Sequence, residues 1–562
     1  MADATRIPVI VGVGQICDRP ETDDSALDTL GLMQAALHAA DADAGGGLLA
    51  GTESLGIEDQ MSWDVVAWPS EEKITKYLVE ALGVKPAIAY ATARPSGDGP
   101  VKLINDAANR IGAGEISIAA VVGGEALRTA AKRVAAKVAA GAPPPKNLVR
   151  ENEEKAASPF RIKYGITSPT DVYPLYECGT RAAWGQSFAE AQAESGALWA
   201  GFSQAAADNP FAWIRKPHTA EQIITPTPDN RMIAFPYTKL MVANSSVNMG
   251  AALIITSLAK AREIGIAEDR IVYIGPGAAA HEPPDILARD NFTRSPGMIV
   301  SLETTLALNN LRAEELDYVE LYSCFPCVPK MARRVLNWPL EKLPSVYGGL
   351  TFGGGPIGNC MMHAAAAMVE KLRVSGTHGL VFANGGFATN NHSIILTRRP
   401  VPAGTFPQSY DFQSKADAMR RKIPPLDETY TGPGTIEAYT IPYDRTGHPQ
   451  AATIIALAPT GARFVCIVPK DDTAGIEFLT SGAEEPVGTT GTAVKAGDFV
   501  VWRRPLDGLS ASEAHHFSRR NHKPMGFAGA QPILRQMKRS PTNHYTAPTP
   551  AQSESPHYRH SP

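Results

Sequence analysis

Two cysteines and a set of glycine-rich turns carry most of the chemistry that this chain's residue types and spacings allow. Cys324 and Cys327 stand in the turn Tyr322-Ser323-Cys324-Phe325-Pro326-Cys327, directly after the apolar run 318–321. A Cys-x-x-Cys pair can hold a metal or cycle as a dithiol. A zinc site needs a second Cys/His pair at fixed spacing, and none is evident nearby. A redox pair belongs at a helix N-terminus in a thioredoxin-like unit, and one candidate helix does follow, over 330–336. Further on come Gly353-Gly354-Gly355-Pro356-Ile357-Gly358-Asn359 and, after the apolar run 380–383, Asn384-Gly385-Gly386. Glycine lets backbone approach backbone or ligand closely. In α/β proteins ligands bind where strand carboxyl ends meet loops. The stretch 317–386 is therefore where a site is expected.

The elements that must position it read as an α/β pattern. Residues 7–15 read as a buried strand ending in Val11-Gly12-Val13-Gly14. That GxG is no dinucleotide fingerprint, because the third glycine position is Cys17. Residues 25–40 carry apolar side chains at helical spacing. Segments 61–68, 72–83 and 87–92 read strand, helix, strand; then come a turn at 94–100, a helix over 101–111 and a strand over 116–122. Gly99-Pro100, helix, strand, Gly123-Gly124 echoes Gly355-Pro356, helix (361–372), strand, Gly385-Gly386. One pattern met twice predicts a duplicated unit.

The boundaries follow from this echo: a first half at 1–130, a helical insertion at 131–240 and a second half at 241–400. The insertion contains the stiff break Ala142-Pro143-Pro144-Pro145, and the second half opens on a strand at 271–274. From 401 to 505 the segments 434–441, 452–458, 463–469, 475–479 and 498–503 are short and turn-bounded, which predicts a small all-β barrel. The tail 506–562 is Ser/Pro/His/Arg-rich and reads as extended and partly disordered, with 517–537 able to strap onto the body.

At 562 residues the chain exceeds one hydrophobic core. Apolar content of 44% and charged content of 20% are ordinary for a soluble globular protein. A net charge of −4 gives no electrostatic case for nucleic acid. No apolar run approaches the roughly 20 residues needed to span a bilayer, so no membrane insertion is expected. Six cysteines in so long a chain do not make a disulfide framework. The N-terminus shows no basic region with a cleavage site, and a cytoplasmic location is the expectation.

Taken together, the motifs resemble the thiolase superfamily, and in particular the sterol-carrier-protein-type thiolases and the thiolase-like proteins of type 1. The pieces are Gly114-Glu115 with Gly123-Gly124-Glu125; Asn209-Pro210 through Trp213; Asn230-Arg231 with Pro236-Tyr237; Asn244 through Ala252; Glu320 to Phe325; and Gly354 to Gly358. The resemblance covers residues 5–400, and the extension after 402 looks like the additional domain of the type 1 proteins. It implies an α/β thiolase fold, with two duplicated βαβαβαββ halves in five layers plus a C-terminal all-β barrel. It further implies acyltransferase chemistry of the acetyl-CoA acetyltransferase kind within lipid metabolism. CoA or acyl-CoA would be substrate or ligand, with no other cofactor and no metal. The chain would be a monomer, or would work with a partner protein.

Thiolases pass an acyl group through a cysteine and make or break a carbon–carbon bond beside a thioester. The matching turn here is Ser96-Gly97-Asp98-Gly99, so Ser96 or Gly97 replaces the cysteine. The family's basic histidine falls on Gly355, its oxyanion donor on Tyr322, and one acid/base cysteine on Ala383. The cysteine before the Phe, Cys324, is present. Ser246 matches a position that contacts the pantetheine arm, and the turns at Gly355 and Gly385 would admit a thin chain. Since members of such a unit act in concert, their loss costs orders of magnitude in rate. The expectation is a chain that is not a competent thiolase. A redirected site would run thioester hydrolysis or retro-Claisen cleavage. It would use Cys324 as acid/base or nucleophile, Ser96 as alternative acyl acceptor, Tyr322 as oxyanion donor and Asn384 as polarising amide. His392 reads as a strand-end histidine bonded to backbone or as a replacement acid/base. The alternative is a non-catalytic acyl-CoA-binding or scaffolding subunit.

Overall fold

Near-continuous apolar runs mark strands covered on both faces, and two of them form the centre of this molecule. β1 (Pro8–Cys17) runs antiparallel to β7 (Met249–Ser257), with Gly14 opposite Ala252 and Pro8 opposite Ser257. β7 is buried along its whole length, and β1 along all but its last two residues. The computed structural model describes residues 3–22, 25–62, 73–141 and 158–504.

The sheet extends from this pair in both directions. On one side lie β2 (Ser54–Ile57), β3 (Ile88–Ala91) and β4 (Ile118–Glu125), in the order β3-β2-β4-β7-β1. On the other lie β8 (Val272–Ile274), β9 (Ala278–His281), β10 (Tyr318–Leu321), β11 (His378–Gly385) and β12 (Asn390–Thr397). Their order is β10-β11-β12-β8, with β9 added beside β12. β2 is parallel to β4, which is antiparallel to β7, which is antiparallel to β1. β10, β11, β12 and β8 repeat that sequence of senses. The duplication read from the glycine turns is thus present in the strand pairing. The two half-sheets join through a short antiparallel contact, Val9 to Tyr273 and Ile10 to Val272.

Helices complete the layers. α1 (Thr29–Asp43) and α2 (Ile74–Leu82) belong to the first half, and α1 covers the outer face of β1, β7 and β4. α3 (Gly99–Ala113) touches strands of both half-sheets and lies between them. α4 (Leu127–Ala139) leads into the helical insertion, where α5 (Pro169–Ala183) and α6 (Phe188–Asp208) are largely buried. α7 (Pro296–Leu308) covers the outer face of β9 and β12. α8 (Cys327–Val335) follows β10. α9 (Cys360–Val374) joins α3 in the middle layer, where Ala364 to Ala367 keep it slim enough to fit. The result is helix, sheet, helix, sheet, helix.

Beyond the body, a closed five-stranded barrel has the order β13-β14-β15-β17-β16. Its strands are β13 (Gly432–Thr440), β14 (Ala452–Leu457), β15 (Arg463–Val468), β16 (Thr490–Ala496) and β17 (Phe499–Arg503). β13 rests on α5. Arg463, fully buried, pairs with Glu437 and donates to the Leu287 and Arg289 carbonyls at 2.6 Å each.

Several expectations need correction. Residues 475–479 are no strand: α10 (Thr473–Thr480) occupies them, capped by the Asp472 side chain accepting from Gly475 N–H at 3.0 Å. Ile476 and Leu479 bury one helical face, a spacing of three that alternation cannot give. The fifth barrel strand is β16, whose exposed Thr and Lys hid it. In the first half β2 at 54–57 was not expected, since Ser-Leu-Gly-Ile is too short and too glycine-broken to stand out; the strand expected at 61–68 falls mostly on residues outside the described ones. Residues 63–72, the proline break at 142–145 and the tail from 505 onward lie outside the described residues. Among the described residues no helix is long and apolar enough to cross a membrane.

The central pair holds α1 at glycine distance. A methyl on Gly14 would overlap the Ala36 carbonyl oxygen and lie 2.6 Å from the Ala40 amide nitrogen. We expect Gly14→Ala to destabilise the fold by roughly 1–3 kcal/mol, the usual range for overpacking. The urea midpoint with unchanged slope reads this out; an unshifted midpoint would mean that α1 yields at no cost.

Candidate active site

Three chain segments meet where β10 and β11 end. Past β10 the Tyr322 N–H donates to the Phe382 carbonyl at 3.2 Å, which holds 322–324 against the end of β11. The turn 96–99 opening α3 approaches from the first half. A methyl on Gly385 would overlap Ser96 Oγ and Asp98 Oδ1. A methyl on Gly97 would overlap the Asn384 carbonyl oxygen and the Tyr322 hydroxyl, and lie 2.7 Å from Tyr322 Cζ. The structure therefore brings Ser96, Gly97, Tyr322, Asn384 and Gly385 together. Of the two residues that could stand for the reactive cysteine, Gly97 faces Tyr322, and the phenol fills the space that a side chain there would take.

Ser96 has a partner that the sequence reading did not assign. Its hydroxyl donates to Asp98 Oδ1 and accepts from Asn390 Nδ2 at 3.4 Å. Its N–H donates to Glu58 Oε1 at 2.9 Å, while Thr92 Oγ1 donates to Glu58 Oε2 at 3.1 Å. Glu58 lies under the turn so closely that only glycine fits at position 99. Burial pushes this carboxyl well above its ordinary range. The Ser-x-Asp spacing was readable; Glu58, 38 residues upstream, was not.

Cys324 lies beside Tyr173 of α5. Tyr173 Oη is 2.8 Å from the Gly386 carbonyl and 3.3 Å from Asn384 Oδ1, and accepts from Ala388 N–H at 3.2 Å. Its ring stacks on Phe325 at 4.6 Å. Burial pushes the Cys324 thiol up to about 12, so it stays protonated at neutral pH. Cys360, at the first turn of α9, lies beside Tyr322 and is likewise raised by burial. Tyr322 and Tyr173 are raised for the same reason. The cluster is a set of neutral O–H and S–H groups, able to donate hydrogen bonds but holding no thiolate. Tyr322 and Cys324 are only 9% and 7% exposed. Asn384 spends both amide hydrogens inside the fold, on Asn391 Oδ1 at 2.9 Å and the Asn390 carbonyl at 3.2 Å.

Other expected residues lie elsewhere. His392 stands opposite Ala383 on β12, with Nε2 2.6 Å from Asn105 Nδ2 and its ring on Tyr410 at 4.9 Å. Burial lowers its pKa to about 3, so it is a neutral member of a network between α3, β12 and residues 408–410. Ser246 is exposed, on the segment that precedes β7. Gly355 joins it there: the Gly355 N–H donates to the Asn244 carbonyl at 2.9 Å. A Cβ at Gly355 would meet the Asn244 and Leu350 carbonyl oxygens at 3.2 Å each.

Cys327 opens α8, donates its thiol to the Tyr173 carbonyl at 3.6 Å and borders a second buried set. Lys330 Nζ pairs with Glu177 Oε1 at 2.5 Å and donates to the Ala191 carbonyl at 2.9 Å, while the Tyr237 hydroxyl donates to Glu177 Oε2 at 2.8 Å. All the cysteines are free.

Glu320, on β10 just before the site, accepts from Ser345 Oγ, Val346 N–H and Tyr347 N–H at 2.7–3.1 Å. Burial nevertheless raises its pKa to about 7. Between the ordinary value of 4.5 and 7 the unfolded chain releases this proton while the fold keeps it. Stability therefore falls as pH rises through that window. We expect Glu320→Gln to flatten part of this slope, by an amount on the order of a few kcal/mol; Glu125, raised to about 7, and Glu58, Asp171 and Glu370, raised by the same burial, contribute to the remainder. Urea midpoints at pH 5 and 7.5 measure it, and identical slopes for the variant and wild type would contradict it.

Comparison with known proteins bears on the fold and on the C-terminal domain. Residues 411–498 match the family model of the thiolase-like protein type 1 additional C-terminal domain. The monomeric SCP2-thiolase-like protein type 1 of Mycobacterium smegmatis is 27% identical, with 90% of this chain and all of that one superposed at a TM-score of 0.73. Human mitochondrial 3-ketoacyl-CoA thiolase superposes over 70% of this chain and 99% of its own, at a TM-score of 0.52 and 15% identity, which shows the fold alone. Acetyl-CoA acetyltransferase IA of Candida tropicalis is 35% identical over 127 residues, 23% of this chain. That match spans 29% of the Candida protein. The resemblance drawn from the motifs is borne out: the chain has the thiolase fold and carries the additional C-terminal domain of the type 1 thiolase-like proteins.

Proposed function

We propose that this chain binds an acyl-CoA or related pantetheine thioester on a thiolase scaffold and does not transfer acyl groups through a cysteine. One observation carries the reading: the Tyr322 hydroxyl fills the space beside Gly97 where a nucleophile's side chain would stand. Two others support it. The remaining thiol, Cys324, is buried and protonated, and no imidazole stands at Gly355. A thiolase cycle needs a thiolate and an imidazole base acting together, and the chain would lack both at the matching positions. The chain would act as a monomer, like the monomeric Mycobacterium smegmatis protein, within cytoplasmic lipid metabolism.

A second reading, redirected catalysis, is favoured by the Ser96–Asp98 pair. Asp98 is placed to take the proton of Ser96 as its oxygen attacks a thioester carbonyl. Loss of CoA thiolate would leave a seryl ester for water to hydrolyse. Cys324 and Tyr322 would then serve as neutral donors, in hydrolysis or in retro-Claisen cleavage of a β-ketoacyl compound.

Intact-protein mass spectrometry after incubation with a panel of acyl-CoAs, alongside free-CoA release, separates the two. The leading reading predicts ligand-induced thermal stabilisation with no covalent adduct and no CoA release. A turnover-competent adduct on Ser96, abolished by Ser96→Ala, would replace it with the second reading.

A further inference from the structure

Two arginines and a tryptophan form a pocket that none of the site's roles uses. Arg19, Pro20, Arg128 and Trp213 line a surface pocket of about 200 Å³. Both guanidiniums lie over the indole, at 4.9 Å for Arg19 and 5.5 Å for Arg128. Such cation–π contacts hold the two cations close despite their repulsion. Arg19 is fixed further by Nη2, which donates to the Ala212 carbonyl at 2.9 Å and to the Trp213 carbonyl. Its Nε lies 3.5 Å from Cys17 Sγ. Among the described residues no carboxylate pairs with either arginine, and Arg128 makes no side-chain hydrogen bond. Asp18, the adjacent acid, is turned away to accept from Leu27 N–H at 2.8 Å.

The walls of this pocket are tied to the segment that carries Ser246 and to the glycine turn. Asp18 N–H donates to the Asn248 carbonyl at 3.0 Å, and Arg128 N–H to the Val247 carbonyl at 3.2 Å. Trp213 N–H donates to the Gly353 carbonyl at 2.8 Å, and a Cβ on Gly354 would lie 3.3 Å from Trp213 Cβ. The pocket is thus built on the same backbone that places Ser246 and Gly355. Paired guanidiniums beside an aromatic face suit a tetrahedral oxyanion, which takes forked N–H bonds from each.

We infer that the Arg19–Trp213–Arg128 pocket binds a phosphate group. The inference rests on the acyl-CoA reading for its source, the phosphorylated nucleotide end of the ligand whose pantetheine arm would run past Ser246 toward Gly355. A free phosphate shares that chemistry and is distinguished below.

The test is isothermal titration of the full chain and its Arg19→Ala/Arg128→Ala variant with CoA, pantetheine, adenosine 3′,5′-bisphosphate and inorganic phosphate. The double variant should lose tenfold or more in affinity for CoA and for the bisphosphate while binding pantetheine as the wild type does. Should it fail to fold, Arg128→Ala serves, since its exposed side chain makes no hydrogen bond to a described residue. Equal CoA affinity in variant and wild type would overturn the inference. Arginine-dependent binding of the bisphosphate or inorganic phosphate by a chain that ignores pantetheine would uphold the pocket while the acyl-CoA reading falls. Inorganic phosphate binding as tightly as the nucleotides would make free phosphate the source. No arginine-dependent binding of any phosphate would overturn the pocket itself.

Discussion

The closeness of three backbones at the ends of β10 and β11 governs everything around the site. Gly97 lies against the Asn384 carbonyl and the Tyr322 phenol, and Gly385 lies against Ser96 and Asp98. Neither position has room for a single added carbon. The turn 96–99 can therefore seat itself in the strand ends only because side chains are missing there, and the phenol of Tyr322 takes the vacated volume. The glycine at 97 and the phenol of Tyr322 are two sides of one packing solution. Each is unintelligible without the other.

Burial sets the electrostatics of what remains. Cys324, Cys360, Tyr173 and Tyr322 are all held neutral by the cost of charging a group away from water. The buried ion pair of Lys330 with Glu177 gives its further donors and acceptors to Ala191 and Tyr237. Such a pair, once formed, is expensive to break and fixes the orientation of α8 against α5 and α6. The chemistry left at the site is hydrogen-bond donation. Ser96 with Asp98 is the exception, and Asn390 donates to the Ser96 hydroxyl at 3.4 Å.

Much of the fold was legible because it is written locally. β10 stands at residues 318–321 as read, and the Gly-Pro, helix, strand, Gly-Gly echo corresponds to a real repetition of strand senses. Glycine and proline punctuate the chain in a way that survives without tertiary information. The misreadings have the opposite cause. β2 is recognisable only by its partners β3 and β4, and α10 only by the barrel face that it covers. The site was legible in types and not in neighbours. Tyr322 and Gly97 could be named, yet nothing in a chain separation of 225 residues says that they touch. Tyr173 and Glu58 escaped altogether, since each reaches the site from an element with no motif of its own. His392 shows the reverse: adjacent to the site in sequence, it belongs to the network of Asn105 and Tyr410.

The most direct test of the account is a crystal structure with a thioether analogue of an acyl-CoA. The account predicts Tyr322 still seated against Gly97 and Asn384, with the ligand's sulfur on the Ser246 and Gly355 side. Tyr322 swung away, with the carbon of the acyl carbonyl within about 3.5 Å of Ser96 Oγ or Cys324 Sγ, would contradict it.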